Sequence, residues 1–202
     1  MLRNVDDQAL WRVRMLPKDL GVALVVLAAL GLALILRVQV EGSVRQFQAP
    51  DAPLRLVYPA TWRSASSLQD VLLKVENPLS KSTFKTTLTV EARELDPAAT
   101  PPLQELVDRR IEQRSSLLGY HFLASNPARV DETDAVQIEY AYVVQPIDEP
   151  RRASLPVVVH AREYVVSAGE RSYYVTLAAP ADEFAGARAA LDQIIGSARL
   201  RP

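Results

Sequence analysis

The chain has 202 residues and a mass of 22.3 kDa, with 49% hydrophobic and 23% charged residues and a formal net charge of −1. That apolar content excludes disorder as the main state, and near-neutrality excludes a general nucleic-acid binder. The absence of cysteine removes disulfide scaffolds, thiol catalysis and cysteine-ligated metals, and only two histidines remain for any triad or zinc site.

Near the start, residues 20–36 read LGVALVVLAALGLALIL, seventeen residues without a charge or strong polar group. At about 1.5 Å per residue they cover roughly 26 Å. Val38 and Val40 extend the apolar length, because the Arg37 guanidinium can bend toward lipid headgroups. The run predicts a transmembrane helix over 20–40. A core helix would show a polar face, and this one shows none. Arg3, Arg12, Arg14 and Lys18 precede the run while only Arg37 and Arg45 follow closely, which orients residues 1–19 to the cytoplasm. Trp11, Lys18 and Arg37 are the expected anchor flanks. Gly42-Ser43 makes a poor cleavage site, so an uncleaved signal anchor is favoured over a signal peptide. Ala29 and Ala33 form one small-xxx-small pair, a common chance occurrence.

A linker is expected over 41–53, where Pro50 and Pro53 resist regular structure, followed by an extracytoplasmic domain over 54–202. From Asp51 onward seventeen basic residues face twenty acidic ones, which leaves no basic stripe for nucleic acid or broad cationic face for lipid. Leu54, Leu56 and Tyr58 alternate toward Pro59, and residues 71–75 give a second short strand closed by Asn77-Pro78. Phe84, Thr86, Leu88, Val90 and Ala92 face one way, with Lys85, Thr87, Thr89, Glu91 and Arg93 opposite, a half-buried strand pattern. Helical spacing over 101–118 aligns Leu103, Leu106, Val107, Ile111 and Leu118, with Thr100 as N-cap and Gly119 as terminator. Val136, Ile138, Tyr140, Tyr142 and Val144 mark a later strand. Residues 157–166 and 173–177 form a hairpin about Gly169. A last helix over 181–198 buries Phe184, Ala187, Leu191, Ile194, Ile195 and Ala198, with Asp182 and Glu183 in its first turn. Meandering strands with two helices predict an α+β fold, an antiparallel sheet flanked by helices.

Tyr58-Pro59-Ala60-Thr61-Trp62 resembles the Tyr-Pro-x-x-Trp that ends the first strand of the PsbP-like domain family. Arg171-Ser172-Tyr173-Tyr174-Val175-Thr176-Leu177 is similar to that family's last strand. Leu191-Asp192-Gln193-Ile194-Ile195-Gly196-Ser197 is similar to its closing helix, although Ala198 stands where an aromatic commonly follows. The resemblance covers about residues 52–200 and rests on packing motifs. It implies a PsbP-like layered sandwich and a non-enzymatic scaffold docked on a larger membrane assembly, here with an added N-terminal anchor.

Chemistry is sparse. His121 and His160 have no carboxylate at metal-ligand spacing, and Asp131, Glu132 and Asp134 lack the pattern of a calcium loop and read as a solvated turn. No phosphate-binding glycine loop or nucleophile elbow is present. Ser115-Ser116 reads as a helix end. The long loop holding Asp148, Glu149, Arg151 and Arg152 is a candidate docking loop, its arginines facing acidic groups on a partner.

The sequence thus leads to a single-pass cell-membrane protein without cofactor. It is expected to be a non-catalytic accessory or assembly subunit of a larger membrane protein complex, photosynthetic or respiratory, with the bilayer and complex subunits as partners. The alternative is an anchored carrier or sensor of a small apolar ligand or lipid, with Tyr140, Tyr142 and Tyr164 lining its pocket. An enzyme is the weakest reading. Nineteen arginines against four lysines suggest a GC-rich bacterial genome.

Overall fold

The computed structural model describes residues 17–49, 53–65, 71–145 and 155–200. The chain divides into two compact units, Met1–Gly42 and Ser43–Pro202. The first contains helix α1 (Pro17–Glu41). Its described large side chains, from Val22 to Leu36, are 51–68% exposed. Val22, Leu24, Val25, Val26 and Leu27 alone point around the whole circumference at 100° per residue. Among the described residues no helix is long and apolar enough to cross a membrane.

The second unit contains β1 (Val44–Gln48), β2 (Arg55–Pro59), β3 (Arg63–Ser64), β4 (Val71–Glu76), β5 (Thr87–Glu94), α2 (Leu103–Ser115), β6 (His121–Val130), β7 (Thr133–Val144), β8 (Val157–Ala168), β9 (Arg171–Pro180) and α3 (Phe184–Ser197). β1 and β2 form an antiparallel pair, and seven strands form a fully antiparallel sheet in the order β3-β4-β5-β9-β8-β7-β6. The second unit is α+β, an antiparallel sheet flanked by helices, as the sequence predicts.

Alternation decides the two faces of the sheet. On one side Leu88 and Val90 of β5, Tyr173, Val175 and Leu177 of β9, and Tyr164 and Val166 of β8 pack with Leu191, Ile194 and Ile195 of α3. Leu54, Leu56 and Trp62 complete this core. Ser197 Oγ accepts the Val57 N–H at 2.9 Å, and Arg55 and Arg199 exchange backbone hydrogen bonds at 2.9 and 2.8 Å, which ties α3 to β2. Trp62 N donates to Pro59 O at 3.1 Å, so the Tyr-Pro-x-x-Trp segment is a turn that drives the indole inward. On the other face Leu106 and Val107 of α2 pack with Ile138, Tyr140, Val159, Ala161, Val165 and Tyr174.

Several local expectations change. α2 begins at Leu103 with Pro102 as N-cap, and Thr100 Oγ1 instead donates back to Asp96 O. Leu118 lies beyond the helix and is exposed, while Leu117 takes the inward position. β1 occupies part of the segment expected to be irregular, because its five residues pair with β2 before the first proline. β6 is a ten-residue strand where no strand pattern was expected. It is an edge strand, so Pro127 removes no needed ladder donor and both faces can stay polar. Gly169 (φ +62) forms the β8–β9 hairpin as expected.

Candidate functional site

α2 is about 20 Å long at 13 residues and packs mainly on β7 and β8, touching Tyr174 of β9 and reaching β5 through Glu91. Beside it, where no helix among the described residues lies over β4, the sheet presents Lys74, Glu76, Thr87, Thr89, Glu91 and Thr176, with Val71 and Ala178 at the margins. The result is a cleft of about 890 Å³. The register explains its floor: Lys74 pairs with Thr89, Thr89 with Thr176, and Thr176 with Glu163, giving one transverse row on a single face. Tyr140 and Tyr142 form one wall and Arg114 rises from α2. The rim is the 80–85 turn. Lys85 Nζ donates to Ser80 O and Ser82 O at 2.9 Å each, and Glu183 accepts from Ser80 Oγ (2.5 Å), Lys81 N (2.8 Å) and Ser82 N (3.2 Å). Partial burial of Glu183 opposes its charge, but the Ser80 hydroxyl and those backbone N–H groups outweigh it and lower its pKa.

Behind the cleft lies a buried charge network. Glu163, fully buried, accepts from Arg110 Nε at 2.6 Å, from Arg114 Nε and Nη2 at 3.3 Å, and from Tyr140 Oη at 3.2 Å. Arg110 Nη2 also sits 2.5 Å from Glu163 Oε1 and donates to Glu91 at 2.8 Å, and Arg110 Nη1 donates to Gln113 at 2.8 Å. The Arg110 guanidinium lies over the Tyr174 ring at 4.5 Å. Burial pushes the Glu163 carboxyl up, but Arg114 and Arg110 outweigh it and hold its pKa below the usual carboxylate value. Burial likewise opposes the charge on Arg114, and Glu163 more than restores it. Tyr142 is pushed up to about 12 by burial, against the pull of Arg114. Two arginines against two carboxylates leave the network neutral, and every oxygen of Glu163 is occupied, so it is not a free base.

A second charged group sits on the α3 face. Arg162 donates to Glu139 at 2.7 Å and to Asp192 at 3.2 Å. His160 stacks on Phe184 with centroids 3.7 Å apart. Its Nε2 lies 3.5 Å from Glu139, an electrostatic contact beyond good hydrogen-bond geometry that leaves the buried nitrogen unpartnered. Burial lowers the His160 pKa, and Glu139 offsets that only in part. His121 lies exposed at the start of β6. Asp131 adopts φ +56 in the β6–β7 turn and accepts from Leu200 N at 3.4 Å, while Asp134 pairs with Arg129. Among the described residues no group of three or more metal-ligating side chains converges.

Of the residues singled out from sequence, Tyr140 and Tyr142 line the cleft, whereas Tyr164 belongs to the opposite core. Asp148, Glu149, Arg151, Arg152 and Trp11 lie outside the described residues, as do the side chains of Lys18 and Arg37. The residues that build the site are different: Arg110, Arg114, Glu91 and Glu163, with Lys74, Lys81, Lys85 and Thr176. One signal was available. Arg110 and Arg114 continue the Leu103–Leu106–Val107 stripe, and Glu163 interrupts an aliphatic strand, so charges stood at positions the period assigns to the interior.

No family model and no curated protein matches the sequence. Solved structures share its fold. A cyanobacterial PsbP (CyanoP) from Synechocystis superposes with a TM-score of 0.59 at 12% identity, over 78% of this chain and 92% of that one. LpqN, involved in cell envelope biogenesis of Mycobacterium tuberculosis, gives 0.53 at 13% identity over 79% and 91%. A protein of unknown function from Pseudomonas aeruginosa gives 0.52 at 15% identity over 80% and 99%. At these identities the likeness is one of fold.

Proposed function

We propose that the chain is a single-pass, membrane-anchored extracytoplasmic module that acts without catalysis as an accessory or assembly subunit of a larger membrane protein complex. The observation that carries this reading is the helix over 20–36, apolar on every side and exposed at each described large residue. Such a surface is unfavourable in water by about 25 cal/mol per Å² and favourable in lipid. The arginine bias before the helix sets the N-terminus in the cytoplasm. Two fold neighbours support an extracytoplasmic accessory role: one is a PsbP, the other is described as involved in cell envelope biogenesis. A saturated Glu163 fits a structural more than a catalytic use of the buried charges. Anchoring raises the effective concentration of the domain near membrane partners. Extraction in mild detergent followed by native electrophoresis and cross-linking tests the reading. Migration above the monomer with cross-links to integral membrane subunits is expected, and a free monomer under every mild condition overturns it.

The cleft beside α2 favours one second reading, an anchored carrier or sensor of a small ligand.

A further inference from the structure

The cleft is chemically biased. The chain has four lysines, and three of them, Lys74, Lys81 and Lys85, line it. Arg114 adds a fourth cationic group. Two carboxylates, Glu76 and Glu91, face these four, and Glu91 is already engaged by Arg110 at 2.8 Å and Arg114 at 3.4 Å. Lys85 is committed to two carbonyls of the rim. Among the described residues the ammonium groups of Lys74 and Lys81 form no hydrogen bond or ion pair; the nearest anionic influence on Lys81 is Glu183, whose oxygens are taken by Ser80 and two backbone N–H groups. The floor carries one further feature: Thr176 is 6% exposed, lines the cleft, and has a buried Oγ1 without a hydrogen-bond partner. A hydroxyl in that state costs free energy unless something bonds it. Tyr142 is half-buried and gives the same cleft an apolar wall, with Tyr140 buried behind it, the two rings 6.0 Å apart and tilted by 32°.

From this juxtaposition we infer that the cleft binds a small organic oxyanion, a carboxylate or phosphate carried on a flat apolar body. The anion meets Lys74 and Lys81 at the β4 side and the body lies against Tyr142. Thr176 Oγ1, unpartnered in the floor, offers the ligand a hydrogen-bond partner. This deepens the carrier reading and rests on it. The lysines are suited to the task because an ammonium with free donors binds an oxyanion without a fixed approach angle, whereas Arg114 is already committed to Glu163 and Glu91 within a neutral network. The polar strip of β4 and β5 accordingly serves recognition, and the apolar-ligand alternative gives way to an anionic one.

The test uses the full chain in nanodiscs, with empty nanodiscs as reference, titrated calorimetrically with 2-naphthoate and with its uncharged isostere 2-naphthamide. Naphthoate is expected to bind at least about tenfold more tightly, the size of one good charge-assisted contact. The Lys74→Gln/Lys81→Gln double variant, at exposed and half-exposed positions where folding is insensitive, is expected to erase that preference with an unchanged melting temperature. Thr176→Val is expected to weaken naphthoate without lowering stability, because the hydroxyl it removes has no partner to lose. Competition by phosphatidylglycerol but not phosphatidylcholine nanodiscs would assign the anion to a lipid headgroup, and its absence would assign it to a free solute. Equal binding of naphthoate and naphthamide overturns the anion assignment while leaving a ligand cleft. Binding of neither overturns the carrier reading itself.

Discussion

Replacing Glu163 by Gln keeps the shape of the side chain and removes its charge from the centre of the buried network. Gln offers one acceptor oxygen where Glu163 offers two, and its amide nitrogen must then face either the Arg110 side or the Arg114–Tyr140 side, donor against donor. Glu163 and the Arg110 side chain are 0% and 1% exposed, so water cannot compensate. Removing one partner of a buried pair costs about 3–5 kcal/mol. Glu91 still holds Arg110 at 2.8 Å and Arg114 at 3.4 Å, which places E163Q at the low end of that range. For a domain of this size such a loss lowers Tm by roughly 6–12 °C. Thermal unfolding of the full chain in detergent, followed by circular dichroism at pH 7, is the assay. The pH dependence has a definite sign. The folded pKa of Glu163 lies below its unfolded value of about 4.3, so its contribution is complete above that value and disappears as pH falls through the lower folded pKa. The gap between wild type and E163Q therefore narrows in acid. A Glu163→Met/Arg110→Met double variant should regain much of the loss, since a buried pair exchanged for packed apolar groups is often neutral. An E163Q melting point within about 2 °C of wild type at pH 7 would refute the reasoning.

Other consequences are as direct. The His160 ring should titrate below the ordinary value of about 6.5, because burial outweighs Glu139; a proton NMR midpoint at or above that value would contradict the packing against Phe184. Leu191→Ala removes a fully buried side chain between α3 and the sheet and should cost about 2–5 kcal/mol in denaturant unfolding. Glu183→Ala removes three hydrogen bonds to the cleft rim, with an expected loss of about 1–2 kcal/mol; faster amide exchange at Lys81 and Ser82 is the specific readout, and unchanged exchange there would show that Glu183 does not hold the rim.

The parts of the fold that follow a simple period were legible in the sequence. Alternation over residues 87–93 placed Leu88 and Val90 toward one core and Thr87, Thr89 and Glu91 on the opposite face, where the cleft lies, whereas Phe84, expected on the Leu88 face, precedes β5 and packs with the α2 cluster. Gly169 marked its hairpin because only a two-residue turn with positive φ joins β8 to β9. β6 was hidden because an edge strand with both faces wet carries no alternation, and Asn126-Pro127 mimics a turn. The site was hidden for a different reason. Periodicity identifies interiors by their apolar residues, and here the interior positions of α2 and β8 are charged: Arg110, Arg114 and Glu163 become interior residues only when long-range pairing brings them together. The lysine cluster has the same origin, since Lys74 on β4 and Lys81 and Lys85 in the turn before β5 meet only when those strands pair.

Alkaline carbonate washing of membranes that contain the full-length chain, followed by protease added to intact cells stripped of any outer layer, tests the anchored arrangement most directly. The account predicts that the polypeptide stays in the pellet and that residues 43–202 are cleaved from outside while the N-terminal arm is spared. Release of the whole chain into the carbonate supernatant, or a domain that protease cannot reach from outside, would contradict it.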